Sequence, residues 1–478
     1  MKLLKTSAIT LTFILALIPA QTFAQIMFQR HYGGAGDDGG NAVIQTSDGG
    51  YLVAGLTDSW GAGSKDIYLI KTNEYGDTTW TKHYGGYNWD DAAAVIEGTD
   101  NNFYITGGVS SFGNGATDAF LMKVSSVGDS VWLKTYGGTE DDDGYDLLQC
   151  NDGGFMITGA SCSFAIGFSS VYAIRTDANG DTLWTRTYEK EDFNGAYSVI
   201  QTTDNGFLFA GVTGTAGPST YDCYVVRINS AGDTLWTKTY GGTSYDVMTC
   251  VCKLTDGNYL LSGATWSFGA GGYDMYLIKI DTNGGVIWEK TYGGTANDYG
   301  YYCIASSFGA VIVGETSSFG HGGSDAYMVA VNQNGDTLWT HVYGGADDDL
   351  VNCIKETTDG GYIMSGLTYS FSGTMDAYLI KTRSDGYAGI EYNEMPEITI
   401  NVYPNPCCEI LNIRASIFSE SDVTVELVNF QGQKLLNERI IQSSNNHVSL
   451  NVSALPSGIY YLSLFSGEKQ ISKKIIIN

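Results

Sequence analysis

The stretch Gly76-Asp77-Thr78-Thr79-Trp80-Thr81-Lys82-His83-Tyr84-Gly85-Gly86 decides the fold, because close copies of it return through most of the chain. Its tyrosine recurs in five steps of 52 residues and one of 51, as Tyr32, Tyr84, Tyr136, Tyr188, Tyr240, Tyr292 and Tyr343. The tryptophan four positions earlier recurs as Trp80, Trp132, Trp184, Trp236, Trp288 and Trp339. A period near 50 residues indicates one supersecondary unit, repeated around an axis or along a line.

Each copy predicts four short strands. In the second copy, apolar runs begin at Asp91, Phe103, Ala119 and Val131, and turns rich in glycine, aspartate and asparagine separate them. Short runs rich in β-branched and aromatic residues predict strands, and no window has the length and periodicity of a core helix. Four antiparallel strands in a repeat of this length are typical of one blade of a β-propeller.

A glycine near the end of the second strand returns in every copy, as Gly55, Gly107, Gly159, Gly211, Gly263, Gly314 and Gly366. We expect that a side chain is excluded there, either by close backbone approach or by a bulge with positive φ.

The order of the strands predicts how the ring closes. If the aspartate-led run is the inner strand, the chain opens with an orphan outer strand, Met27 to Tyr32, and ends with three strands between Leu350 and Thr382. The sequence therefore predicts an all-β fold: a seven-bladed β-propeller of four-stranded blades, closed by the N-terminal strand and without free edges. A rival is Gly389-Ile390-Glu391-Tyr392, which falls where an eighth outer strand would begin.

The succession YGG…DD…DGGY…G-T-x-S-F-G…D-x-Y-L-I-K…GD-x-x-W resembles the beta-propeller repeat family of secreted bacterial proteins, over residues 27 to 390. Two copies depart from it, with Glu189-Lys190 for Gly-Gly in the fourth and Ser307-Phe308-Gly309 for the Asp-Gly turn in the sixth. Kelch repeats have a similar length and a double glycine, but their spacing fits this chain less well.

The N-terminus has the pattern of a cleaved export signal. Lys2 and Lys5 are followed by a largely apolar run and by Thr22-Phe23-Ala24, which ends in small residues. No later stretch reaches the roughly 20 apolar residues of a membrane helix. We predict a signal peptide at 1–24, the propeller at 25–390, a linker at 391–400 and a C-terminal domain at 401–478.

Composition narrows the partners. The net charge of −27 disfavours nucleic acid and anionic lipid, and it suits cations or neutral ligands such as sugars. Nine cysteines without regular spacing do not form a disulfide framework. Cys250 and Cys353 stand four residues after equivalent aspartates, within apolar runs, and we predict buried thiols there.

From Tyr403-Pro404-Asn405-Pro406 onward, strands separated by Asn, Gly and Ser turns predict a small antiparallel β-sandwich. The same motifs, with Leu455-Pro456-Ser457-Gly458-Ile459-Tyr460-Tyr461-Leu462 and the basic, apolar tail, resemble the type A C-terminal sorting domain of the type IX secretion system. The resemblance implies export through the periplasm, contact with the type IX secretion and sorting machinery, and a secreted or outer-cell-surface location. Cys407-Cys408 is not part of the expected pattern.

Six residues after each repeat tyrosine stands an acidic or amide side chain: Asp38, Asp90, Asp142, Asn194, Asp246, Asp298 and Asp349. We expect these residues to ring the mouth of the central channel. The six aspartates are the predicted ligand- or cation-binding residues, because oxygen-rich rings suit a hard cation such as Ca²⁺. Alternatively, each aspartate caps its own turn by accepting backbone N–H bonds. Calcium is the one cofactor considered, and no catalytic residue is predicted.

Other side chains repeat near the same face. Aromatic residues tip the loops between the second and third strands: Trp60, Phe112, Phe164, Trp266, Phe319 and Phe371. They form either a platform for carbohydrate or peptide, or packing between neighbouring blades. A second ladder opens the third strands, with Ser170 in the third copy: Asp66, Asp118, Asp222, Asp274, Asp325 and Asp376. Turn capping explains these residues.

Few features indicate an enzyme, since HExxH and GxSxG motifs are absent and the five histidines lie far apart in the sequence. A catalytic copy should depart from its siblings, and the fourth departs most, at Glu189-Lys190-Glu191-Asp192. The sequence predicts a binding or structural module for a glycan or protein ligand, of unknown oligomeric state. The alternatives are a hydrolase or lyase acting on extracellular polysaccharide at the aspartate-rimmed face, and a calcium-stabilised scaffold.

Overall fold

The computed structural model describes residues 25–215, 221–389, 400–415, 423–429, 433–440, 447–466 and 469–478. The predicted signal peptide and most of the predicted linker lie outside these residues. The chain divides into two compact units, Met1–Glu391 and Tyr392–Asn478.

The first unit contains seven four-stranded antiparallel sheets, which are the blades. The first strands are β2 (Asp38–Gln45), β6 (Asp90–Glu97), β10 (Asp142–Gln149), β14 (Phe193–Gln201), β18 (Asp246–Lys253), β22 (Asp298–Ser306) and β26 (Asp349–Glu356). The second strands are β3 (Tyr51–Thr57), β7 (Phe103–Val109), β11 (Phe155–Ser161), β15 (Phe207–Gly214), β19 (Tyr259–Thr265), β23 (Gly309–Thr316) and β27 (Tyr362–Thr368).

The third strands are β4 (Asp66–Thr72), β8 (Asp118–Val124), β12 (Ser170–Thr176), β16 (Tyr221–Ile228), β20 (Asp274–Ile280), β24 (Asp325–Asn332) and β28 (Asp376–Thr382). The fourth strands are β5 (Thr78–Tyr84), β9 (Ser130–Tyr136), β13 (Thr182–Tyr188), β17 (Thr234–Tyr240), β21 (Val286–Tyr292), β25 (Thr337–Tyr343) and, for the last blade, β1 (Phe28–Tyr32). We number the blades 1 to 7, from the one that begins with β2.

The first strands form the inner ring, as predicted. Each one packs against the first strand of the next blade, and β26 packs against β2. Second and third strands are buried along most of their length, whereas in β5 exposed residues alternate with half-buried ones. Strand β1 pairs with β28, with Arg30 opposite Leu379, so the N-terminal strand completes blade 7. The prediction of a seven-bladed propeller closed by its N-terminal strand is confirmed.

A hydrogen bond from each repeat tyrosine links neighbouring blades. The Tyr84 hydroxyl donates to the carbonyl oxygen of Gly128, 2.6 Å away in the turn between the third and fourth strands of the next blade. Tyr32, Tyr136, Tyr188, Tyr240, Tyr292 and Tyr343 donate to the equivalent carbonyls of Gly76, Gly180, Gly232, Gly284, Gly335 and Gly386. The recurring tyrosine therefore fixes the position of each blade against the next.

A bulge interrupts every inner strand. In β2 the pairing with β3 skips Asn41, and opposite this irregularity Gly55 lies so close to β2 that a Cβ would be 1.9 Å from the Gly39 carbonyl oxygen. Close backbone approach, rather than positive φ, therefore requires the repeated glycine. The seven bulge residues all line the channel: Asn41, Ala93, Tyr145, Tyr197, Thr249, Tyr301 and Asn352.

The second unit has two antiparallel sheets around its own apolar core. One contains β29 (Ile400–Tyr403), β30 (Ile410–Ala415) and β33 (His447–Asn451). The other contains β31 (Val423–Asn429), β32 (Lys434–Ile440), β34 (Gly458–Ser466) and β35 (Lys469–Ile477). Cys407 is buried in this core, whereas Cys408 is exposed. The Cys407 N–H donates to the Ile476 carbonyl oxygen, and the Cys407 carbonyl oxygen accepts the Asn478 N–H. The prediction of a small β domain with two sheets is confirmed.

Deleting residues 25–32 should destabilise the propeller, because it removes β1 and leaves the edge of β28 without a partner. We expect the melting temperature to fall by about 5 °C or more, a large effect for a domain of this size. We also expect oligomers by size-exclusion chromatography with light scattering. A control that lacks residues 1–24 alone should remain stable. A monomeric deletion variant of unchanged stability would show that β1 does not close the ring.

Candidate binding face and channel

The predicted aspartates lie at the crossover face, where the chain passes from the outer strand of one blade to the inner strand of the next. All six are the first residue of an inner strand; five of them are 0% exposed and Asp349 is 1% exposed. They therefore lie beneath the surface of this face rather than forming an exposed rim around the channel.

Their carboxylates hold the surrounding loops. Asp38 Oδ2 accepts bonds from the Gly34 N–H at 2.7 Å and the Ser59 hydroxyl at 2.6 Å, and Oδ1 accepts the Thr57 hydroxyl. A backbone N–H four residues earlier donates to the same oxygen of Asp90, Asp142, Asp246, Asp298 and Asp349. These bonds are the turn caps of the alternative interpretation. Ligand or calcium binding by the six residues stays a prediction.

The second aspartate ladder lies beside the first. A Cβ on Gly85 would lie 1.8 Å from Asp66 Oδ1 and 2.8 Å from Asp90 Oδ2, so the carboxylates of adjacent blades meet at this glycine. Asp66 Oδ2 accepts the Ala62 N–H at 2.8 Å, which caps the loop after the second strand. Burial, followed by the charge of Asp90, raises the pKa of Asp66. The first glycine of the double-glycine motif is therefore required by the aspartate packed against it.

The fourth copy departs from its siblings for a structural reason. Its Glu189 stands where the others have this glycine, and the aspartates on either side are replaced by Ser170 and Asn194. The Ser170 hydroxyl and the Ile166 N–H both donate to Glu189 Oε1, so this carboxylate caps the loop that Asp66 caps in blade 1. The three replacements compensate one another. They explain the departure without a catalytic role.

This compensation can be transferred to another blade junction. Gly85→Glu alone should lower the free energy of unfolding by about 2–4 kcal/mol, because the new side chain collides with the Asp66 carboxylate. The triple variant Gly85→Glu, Asp66→Ser, Asp90→Asn should recover most of this loss in thermal or denaturant unfolding. Asp66→Ser with Asp90→Asn, without the glutamate, is the control. A triple variant no more stable than Gly85→Glu would show that the replacements are unrelated.

The loop aromatics pack against the third strands of their own blades: the ring centroids of Trp60 and Tyr68 are 5.4 Å apart, and those of Phe319 and Tyr327 are 5.8 Å apart. They also lie against the double glycine of the crossover from the preceding blade, since a Cβ on Gly34 would be 3.0 Å from Trp60 and a Cβ on Gly294 would be 3.4 Å from Phe319. These rings therefore contact both their own blade and the connection from the preceding one. Trp266 was wrongly assigned to the series, because Phe268 takes the equivalent place against Tyr276. A role of the half-exposed rings as a ligand platform stays a prediction.

Positions that vary between copies make the crossover face asymmetric. At the position after Thr57 and its equivalents in the other second strands stand Asp58, Ser110, Cys162, Gly214, Trp266, Ser317 and Tyr369. The residues that directly follow the repeat aspartate or its equivalent are Gly39, Asp91, Asp143, Gly195, Val247, Tyr299 and Leu350. At these positions aromatic residues gather in blades 5, 6 and 7 (Trp266, Tyr299 and Tyr369), and carboxylates gather in blades 1, 2 and 3 (Asp58, Asp91 and Asp143).

The aromatic side is a continuous series of rings. The ring centroids of Trp266 and Tyr273 are 4.8 Å apart, and the ring centroid of Tyr273 is 4.9 Å from that of Tyr299 in the next blade. Tyr299 stacks on Tyr301, a bulge residue, at 6.1 Å. Trp266 is 53% exposed, so the series runs from the surface of the crossover face to the channel.

On the acidic side, two carboxylates come together. A Cβ on Gly108 would lie 2.6 Å from Asp143 Oδ1 and 3.6 Å from Asp91 Oδ1, so the carboxylates of neighbouring blades both lie close to this glycine. Burial raises the pKa of Asp91 to about 6, and burial together with the charge of Asp91 raises that of Asp143 to about 6. The indole N–H of Trp89 donates to Asp91 at 3.2 Å. Asp143 was missed in the sequence, and a comparison of the variable positions would have found it.

At the bulge residues and beyond them, the channel holds a chamber of about 640 Å³. Tyr145 and Tyr197 stack at 5.2 Å on the side of the crossover face. Asn151, an exposed residue in the turn between β10 and β11, lines the opposite end. Lys355 lines the wall and donates to the Tyr302 hydroxyl at 2.8 Å. We call the opposite end of the channel the turn face.

The described residues contain no group of three or more His, Cys, Asp or Glu side chains placed to hold a metal ion. All nine cysteines are free thiols, and the prediction that Cys250 and Cys353 are buried is confirmed. Within the described part of the chain, no helix has the length and apolar character needed to span a membrane.

Comparison with known proteins identifies the C-terminal part of the chain. Residues 401–478 match the family model described as the secretion system C-terminal sorting domain. These residues are a C-terminal sorting domain. The sorting domain directs export by the type IX secretion system, so the protein is secreted or displayed at the cell surface.

Similarities to the rest of the chain are more distant. The regulatory protein FlaEY of Caulobacter vibrioides is 22% identical over an alignment of 373 residues. The match covers 70% of this chain and 36% of that protein. The chain thus spans about a third of that relative. Sqt1 from Chaetomium thermophilum has a TM-score of 0.41 at 10% identity, over 72% of this chain and 82% of that one. An endo-1,5-alpha-L-arabinanase from Thermotoga petrophila has a TM-score of 0.31 at 12% identity, over 80% of this chain and 90% of that one.

Proposed function

We propose that this exported propeller is a carbohydrate-binding module whose ligand lies on the crossover face against Trp266, Tyr273 and Tyr299. The ring series from Trp266 to Tyr301 carries the proposal, because it interrupts the repeat and joins an exposed surface to the channel. Aromatic faces present apolar area and a negative quadrupole, which suit the C–H faces of sugar rings. The hydroxyl groups of tyrosine provide hydrogen bonds at the ring edges.

Charge narrows the class of ligand. The carboxylates Asp91, Asp141 and Asp143 lie on the same face, in blades 2 and 3, and the chain carries a net charge of −27. Uronic-acid and sulfated glycans would be repelled by this field. Sugar hydroxyls are donors that carboxylates accept. We therefore propose a neutral polysaccharide as the ligand.

Removing the exposed ring should weaken glycan binding. We expect Trp266→Ala to raise the Kd for a bound neutral polysaccharide about 3- to 10-fold, since one ring contact contributes about 0.5–1.5 kcal/mol. Affinity electrophoresis or a glycan array measures this. Trp60→Ala is the matched control, because Trp60 is a repeat residue of similar exposure on the same face and should change binding less than about 2-fold. Equal losses in both variants would contradict the assigned ring series.

A polysaccharide hydrolase is the second candidate, and the paired carboxyl groups of Asp91 and Asp143 favour it. A carboxyl group with a pKa near 6 is suited to general acid catalysis at neutral pH. Two carboxyl groups that flank a glycosidic bond are the machinery of most glycosidases. This candidate differs from the first in requiring product release.

The hydrolase alternative has its own test. Reducing-sugar release from neutral polysaccharides should fall as the pH rises above 6, because the acid must be protonated to donate. Asp143→Asn should then lower the rate by about 100-fold or more, and Glu140→Gln, which changes an exposed acidic residue of the same loop, should leave it nearly unchanged. Binding without product release at any pH would leave the module as the function.

A further inference from the structure

The chamber at and beyond the bulge residues is a second site, separate from the crossover face. Its lining reaches the turn face at Asn151, and three of the seven bulge residues toward the crossover face are tyrosines. A volume of about 640 Å³ lies in the range of pockets that enclose small organic molecules.

Three lining residues depart from the repeat. Four positions after the repeat aspartate the other inner strands carry small residues such as Ala94 and Ser198, but blades 3 and 6 carry Asp146 and Tyr302. Two positions further, most blades carry an aliphatic side chain, and blade 7 carries Lys355. All three side chains line the same chamber, and Tyr302 also packs against the apolar clusters of neighbouring blades.

The chamber is cationic in an acidic protein. Its ionisable lining, tyrosines and the Cys353 thiol aside, consists of Lys253, Lys355 and Asp146, whereas the whole chain has a net charge of −27. The Asp146 carboxylate accepts the N–H groups of Val199 at 2.9 Å and Leu147 at 2.8 Å. Burial raises the pKa of Asp146, and the positive charge of Lys355 acts in the opposite direction. Lys355 has three N–H donors and gives one to the Tyr302 hydroxyl. An ammonium group is therefore available to a ligand in the chamber.

We propose that the chamber binds a small carboxylate with an apolar body, entering from the turn face. The Lys355 ammonium pairs with the carboxylate, and the Tyr302 hydroxyl holds that ammonium at the wall. Val95, Leu148 and Ile200 line the remaining wall and cover the apolar body. This site is distinct from the glycan site, because Lys355 stands three residues past the bulge residue of its own strand, toward the turn face, whereas the glycan proposal rests on rings of the crossover face.

Phenylacetate and its neutral isostere phenylacetamide test the site by isothermal titration calorimetry on the exported full-length chain. We expect phenylacetate to bind with a Kd of about 1 mM or below and phenylacetamide at least tenfold more weakly. Lys355→Ile should remove this difference. It should fold, because Ile304 holds the equivalent position in blade 6. Lys134→Ile on the outer strand β9 is the matched control and should bind phenylacetate as the natural chain does.

A second variant keeps the test decisive if Lys355→Ile unfolds. Ala93→Tyr places at one bulge the residue that Tyr145 already provides at the next, so it narrows the chamber without changing its charge. It should weaken phenylacetate binding at least tenfold. Equal affinity for the acid and the amide, unchanged binding by Lys355→Ile, or no binding at 10-fold above the expected Kd would overturn the proposal.

Discussion

The hydrogen bond from each repeat tyrosine to a glycine carbonyl of the next blade is the constraint on which the structure depends. It joins two blades through residues 44 apart in most copies, at 2.6 Å for Tyr84 and Gly128. The turn that supplies the carbonyl has its glycine at positive φ, at +84° for Gly128, a conformation that glycine adopts without strain. Because a buried hydroxyl needs a partner, the tyrosine, the glycine and the length between them have to recur together.

The same logic explains why the aspartates recur. Each one satisfies N–H and O–H groups of loops that would otherwise stay unpaired beneath the crossover face, as Asp38 does for Gly34, Thr57 and Ser59. Where this arrangement changes, it changes as a unit: Ser170, Glu189 and Asn194 replace three residues at one junction, and the loop is still capped. The recurring residues of this chain therefore have structural roles in capping loops. Candidate residues for ligand binding or catalysis are better sought among those that do not recur.

The fold was predictable because its determinants are local and repeated, and the candidate site was not. The period, the orphan strand Met27 to Tyr32 and the turn glycines define blade number and closure without any long-range information. By contrast, the ring series joins Trp266, Tyr273 and Tyr299 from two blades, and the acidic pair joins Asp91 and Asp143 from two others. Tyr273 and Tyr299 are 26 residues apart and Asp91 and Asp143 are 52 residues apart, and the packing of neighbouring blades brings each pair together. The single-copy comparison that favoured Glu189 therefore found a compensated junction instead of a site.

The bulges explain where variation is tolerated. A bulge residue is unpaired in the ladder to the second strand, and its side chain points into the channel, away from the apolar layers between blades. Asn41, Ala93 and Tyr145 can therefore differ without disturbing the ring. Seven such positions surround one axis, so a few substitutions among them set the width and polarity of the whole channel. A symmetric scaffold thus acquires asymmetric chemistry at the positions where its own hydrogen bonds make the least demand.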